Sequence, residues 1–104
     1  MKGTSAVRYE FEWDPIKERA NIRSHGINFR RAASVFRDPQ QLTIFDDEHS
    51  IDEDRWITMG IDSGGIVRVV VHTFDELAAD VYQVRIISAR KAEPHEIEQY
   101  QNNL

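Results

Sequence analysis

Hydrophobic and polar positions alternate from Val7 to Trp13: Val7, Tyr9, Phe11 and Trp13 are interleaved with Arg8, Glu10 and Glu12. A two-residue period predicts a strand with one buried face. At Asp14-Pro15 the period changes. Aspartate caps helix starts and proline suits the first helical position, so a short helix is predicted over Ile16 to His25, ended by Gly26 in a left-handed conformation. Asn28 can cap a second helix, Phe29 to Phe36, whose Phe29, Ala32, Ala33 and Phe36 fall at helical spacing; Asp38-Pro39 stops it. Leu42 to Phe45 reads as a brief strand. Arg55 to Ile61 and Ile66 to Phe74 are rich in β-branched and aromatic residues, with Asp62-Ser63-Gly64-Gly65 between them as a hairpin turn. Val81 to Ala89 is a further strand, and Pro94 opens a last helix to about Gln101 with Ile97 and Tyr100 as its docking edge. The predicted order is β-α-α-β-β-β-β-α, an α+β fold with helices packed on an antiparallel sheet.

The 104 residues make one domain the expectation, spanning 1–104 with a flexible stretch at 1–6. The chain has no Cys, which excludes a disulfide scaffold, thiolate zinc and a cysteine nucleophile. No stretch suits a signal peptide or a membrane span, so a cytoplasmic protein without membrane partners is expected.

A net charge of −5 argues at first against a nucleic-acid partner. The distribution reverses that view. Between Pro15 and Arg37 six positive residues face Glu18 alone, whereas Asp38 to Asp54 holds seven acids and no Lys or Arg. The chain is electrically lopsided, and the total hides a basic sector.

Several residues could carry chemistry. Lys17, Asn21, Ser24 and His25 share one stripe of the first helix, suited to a phosphate-bearing ligand; a solvated face, with His25 favoured by the helix dipole, explains them more simply. Arg85 sits inside an apolar run, where a guanidinium needs a partner or a polar cleft. Strict alternation puts Arg85 on one face and Ser88 with Arg90 on the other, so the three share a site only if the strand twists or bulges. Arginine forks can grip phosphate; a structural ion pair is the competing reading. His72 reads as a hydrogen-bonded structural residue, and Trp13 and Trp56 as core anchors. The acidic cluster Asp46, Asp47, Glu48, His49, Asp52, Glu53 and Asp54 lacks calcium-loop spacing and a second His for zinc, and reads as a solvated loop. No metal or other cofactor is expected.

The ordered series Phe11-Glu12-Trp13-Asp14-Pro15 with Lys17 and Asn21, His25-Gly26-Ile27, Asp38-Pro39, Glu53-x-Arg55-Trp56, Val69-Val70-Val71-His72-Thr73 and Arg85-Ile86-Ile87-Ser88-Ala89-Arg90-Lys91-Ala92 resembles the BrnT family of type II toxin–antitoxin toxins. The resemblance departs at the last helix, where Glu93-Pro94-His95-Glu96 replaces a hydroxyl cap and several arginines. It implies a RelE-like fold and an endoribonuclease that inhibits translation without metal, the ribose 2′-OH attacking phosphorus. It also implies an RNA substrate and neutralisation by a cognate ribbon-helix-helix antitoxin. Promoter DNA is then bound only through the complex, which could contain a toxin homodimer. In that setting Arg85 and Arg90 would hold the scissile phosphate, and Lys17 and His25 would transfer protons or stabilise charge. Arg55 would add a phosphate contact. Ser88, Tyr100, Asn21 and Arg23 would bind or orient the RNA. A non-catalytic RNA- or protein-binding module is the alternative, and a hydrolase using the 46–54 carboxylates on a metal is the third reading.

Overall fold

The computed structural model describes residues 7–103, so the predicted flexible segment 1–6 lies outside the described residues. The elements run β1 (Arg8–Trp13), α1 (Pro15–His25), α2 (Phe29–Ala33), β2 (Leu42–Phe45), β3 (Trp56–Ile61), β4 (Val67–His72), β5 (Asp75–Ala78), β6 (Val81–Lys91) and α3 (Pro94–Asn102). The local signals act as their chemistry dictates. The Asp14 carboxylate accepts from the Ile16 amide, and Gly26 closes α1 at φ +69° with its N–H on the Ile22 carbonyl. Asn28 caps α2 through the Arg31 amide. The second helix is shorter than predicted: after Ala33 the chain tightens into a 3₁₀ turn, Ser34–Arg37.

The strand order is β1-β6-β4-β3-β2, with β5 paired to β6. Four of the five pairings are antiparallel, and β1 lies parallel to β6. The sheet is therefore mixed rather than purely antiparallel. Hairpin reasoning holds where short turns join neighbours, but every other strand lies between β1 and β6 in the sequence, and a connection of that length leaves direction free. Segment 75–78, not assigned as a strand in the sequence reading, pairs with β6 through a turn at Asp80, whose φ is +59°.

Two faces result. On one, Val70, Val84, Ile86 and Ala89 pack against Ile27, Phe29, Ala32, Val35 and Phe36 from the α1–α2 region. Burying a side chain such as Phe29 or Val35 contributes about 1.5–3 kcal/mol. On the other, Met59 and Val69 are covered by Tyr100 of α3. That face is only partly roofed.

Candidate functional site

The site is built on an irregularity of β6. Val71 pairs with Ser88 and His72 with Ile86, so Ile87 is an extra residue in its strand. The core residues Val84, Ile86 and Ala89 are spaced by two and then three, as a bulge requires. Beyond the bulge the parity changes, and Arg85, Ser88 and Arg90 all leave the core by the same face. The condition set by strict alternation is met.

The second wall is the acidic loop. Its ends are tied by the Asp46 amide on the Arg55 carbonyl, 2.8 Å, and its middle by Ser50, whose hydroxyl donates to the Asp46 carbonyl and accepts from the Arg55 amide. Closure brings Asp46, Glu48, His49 and Arg55 against Ile87, Ser88 and Arg90, around a cleft of about 370 Å³ floored by Ile57, Val69 and Val71. No three His, Asp or Glu side chains converge as metal ligands among the described residues.

The cations in and beside this cleft differ in what they already hold. Arg85 pairs with Glu53 of the loop. Arg90 grips Glu96 through both terminal nitrogens, at 2.9 and 3.0 Å. These hydrogen bonds and charges hold the Glu96 carboxyl down at about 2, and the same contact raises Arg90. Arg55 has no ion pair among the described residues, and its Nε is buried without a hydrogen-bond acceptor. A donor left in that state is costly unless a ligand supplies the acceptor. Three arginines thus occupy this side of the sheet, and two of them, Arg85 and Arg90, carry acidic partners.

His49 was missed as a candidate beyond its membership of the acidic cluster. Its Nδ1 lies 3.0 and 3.1 Å from the two oxygens of the buried Asp46 carboxylate. A carboxylate only accepts, so Nδ1 is the donor in this contact. The usable signal was Asp-x-x-His in a loop with a serine one residue on.

The remaining predicted residues lie elsewhere. Lys17, Arg23 and His25 are exposed on α1 and do not line the cleft. Asn21 is buried: its amide donates to the carbonyls of Ile27 and Ala89 and accepts from the Ala89 N–H. The side chain is fully engaged and cannot orient RNA. Tyr100, 2% exposed, donates to Asp38 from within the α3 contact, and burial next to that carboxylate pushes its hydroxyl up to about 12. It orients Asp38, not a ligand. His72 bonds Thr58 and the Thr73 carbonyl, as expected for a structural histidine. Trp13 packs edge-on against Phe29, and Trp56 against Phe45 and Phe74.

No curated protein matches the chain. Its fold is similar to the 1.1 Å crystal structure of the Brucella abortus ribonuclease toxin BrnT, with a TM-score of 0.55 and 22% sequence identity, over 83% of this chain and 97% of that one. Residues 13–96 match the family model described as the ribonuclease toxin BrnT of type II toxin–antitoxin systems. That match spans both the bulged β6 and the closed acidic loop, and on it the chain belongs to the BrnT family of ribonuclease toxins.

Proposed function

We propose that the chain is a cytoplasmic, metal-independent endoribonuclease that stops translation by cutting RNA in the β6–loop cleft. The carrying observation is the Arg55 guanidinium, unpaired among the described residues beside Arg90, Ser88 and His49. A phosphodiester supplies the acceptors that Arg55 lacks. Arg90 and Arg85 add positive charge for the phosphorane, and Ser88 orients a non-bridging oxygen. The ribose 2′-OH attacks phosphorus, so no enzyme nucleophile is needed. His49, oriented by Asp46, accepts the 2′-OH proton, and the bond from phosphorus to the 5′ oxygen breaks. The leaving oxygen takes a proton from solvent, giving a 2′,3′-cyclic phosphate and a 5′-hydroxyl, and His49 returns its proton to solvent. Lys17, Arg23 and His25 on α1 attract the flanking backbone rather than the scissile group.

The cognate antitoxin, of ribbon-helix-helix type, silences the toxin and carries the complex to promoter DNA. Purified protein should cut RNA with a chelator present, and a 2′-deoxy nucleotide at the cleavage position should abolish the cut. Arg55→Ala should lower kcat/KM by about a hundredfold with the fold intact. Activity lost on chelation, or a deoxy substrate still cut, overturns the mechanism. The occupied forks of Arg85 and Arg90 favour a second reading, an RNA-binding module; it predicts salt-sensitive binding with no cleavage in any buffer.

A further inference from the structure

A second groove, about 720 Å³, lies on the other face from the cleft, beside the outer edge of the sheet. Its floor is Tyr9, Phe11, Trp13 and Phe36, and its rim includes Arg30 and Arg37, which have no ion pair among the described residues. β1 forms the edge. The Arg8 amide donates to the Asp80 carbonyl on the β6 side. In a parallel pair alternate residues point their backbone groups to opposite sides, so those of Tyr9, Phe11 and Trp13 turn outward. The residues whose side chains floor the groove also offer N–H and C=O groups along it. Among the described residues no strand pairs with that edge.

We infer that this edge takes an added β-strand from an acidic, amphipathic segment of a partner protein, its apolar residues on the aromatic floor and its carboxylates on Arg30 and Arg37. An open edge with a pocketed face is the geometry of strand addition. RNA fits worse, because phosphates accept from N–H but offer nothing to the outward carbonyls, whereas a peptide backbone answers both. A second copy of this chain fits worse too, since a symmetric pairing brings Arg30 and Arg37 toward their own counterparts. Within a toxin–antitoxin pair the protein of that chemistry is the antitoxin, and the edge would anchor it away from the catalytic cleft.

The test uses the full chain and a short synthetic peptide alternating Glu with Val or Leu, with oligouridylate as the RNA arm. Hydrogen exchange should show the peptide protecting the amides of Tyr9, Phe11 and Trp13. Arg30→Glu with Arg37→Glu should weaken binding about tenfold, and N-methylating the peptide on alternate amides should abolish it. Protection at another strand, protection of this edge by oligouridylate alone, or unchanged binding in the double variant or of the methylated peptide overturns the proposal. Cleavage is assayed alongside: Arg30 and Arg37 lie outside the cleft, so the double variant should cut RNA normally. A protein that cuts no RNA would sink the nuclease reading and leave the peptide result standing.

Discussion

Asn21 holds both backbone groups of Ala89: its amide nitrogen donates to the Ala89 carbonyl at 3.0 Å and its oxygen accepts from the Ala89 N–H at 3.0 Å. The parallel ladder between β1 and β6 ends at Trp13 and Ile86, so beyond it the β6 edge needs another partner. One side chain from α1 takes over from the missing strand and seats the helix on the sheet.

Asn21→Ala should therefore destabilise the protein by about 3 kcal/mol, because it strands the buried groups of Ala89 and the Ile27 carbonyl. Denaturant unfolding measures this. RNA cleavage per folded molecule should stay near wild type. Unchanged stability with lost cleavage would return Asn21 to the RNA-contacting role expected from its helix stripe.

The Asp46–His49 contact predicts a split between rate and binding. His49→Ala should lower kcat by about a hundredfold and leave KM nearly unchanged. Asp46→Asn should be milder, because an asparagine can still orient the ring through its oxygen while the charge is lost. His49→Gln, which keeps a polar side chain without a basic nitrogen, should be as slow as His49→Ala. A His49→Ala variant that keeps the wild-type kcat would place the base elsewhere, with His25 the next candidate.

Acidification should lower the protein's stability in two stages. Burial holds His72 neutral, down at about 4 despite its bond to the Thr73 carbonyl, which acts the other way. The unfolded chain takes up that proton near 6.5, so stability falls as pH drops from about 6.5 to 4, by about 3 kcal/mol. Burial alone would raise the Asp62 carboxyl, but bonds from Arg68, the Ile66 and Gly64 amides and Arg31 hold it down at about 2. Its contribution is present above about 4 and is lost between there and 2. Thermal melts of His72→Gln should lack the first stage and keep the second. A first stage that survives the substitution would assign it to another group.

The parts of the molecule that were legible in the sequence are those set by neighbouring residues. Alternation fixed β1, Asp14 and Gly26 bounded α1, and Tyr100 marked the docking edge of α3. The direction of β1 and the bulge at Ile87 depend on partners far along the chain, and they decide which arginines share a face. The site was correspondingly half visible. Arg55, Ser88 and Arg90 line one cleft, whereas Asn21 and Tyr100 carry polar atoms that Ala89 and Asp38 already satisfy. A polar group on an inward-facing helical position reads as functional until its buried partner is known. His49 was concealed by the acids around it, although its contact is local: Asp46 lies three residues before it, and Ser50 ties the Asp46 carbonyl four residues back.

Glu96 gives the sharpest test of the cleft. It occupies both terminal nitrogens of Arg90 and accepts from the Glu93 amide at the start of α3, so under the proposed mechanism helix and substrate compete for one guanidinium. Because the Glu96 carboxyl is held down at about 2, no assay pH relieves the competition; only substitution does. Glu96→Gln keeps an acceptor for the Glu93 amide and removes the charge. The pair is partly exposed and worth less than about 1 kcal/mol, so KM for RNA should fall by up to about fivefold, with a small loss of thermal stability as α3 loosens. Arg90→Ala should move KM the opposite way, and Glu96→Gln in that background should have no further effect on KM. If Glu96→Gln alone leaves KM unchanged, Arg90 belongs to the anchoring of α3 and the phosphate is held by Arg55 without it.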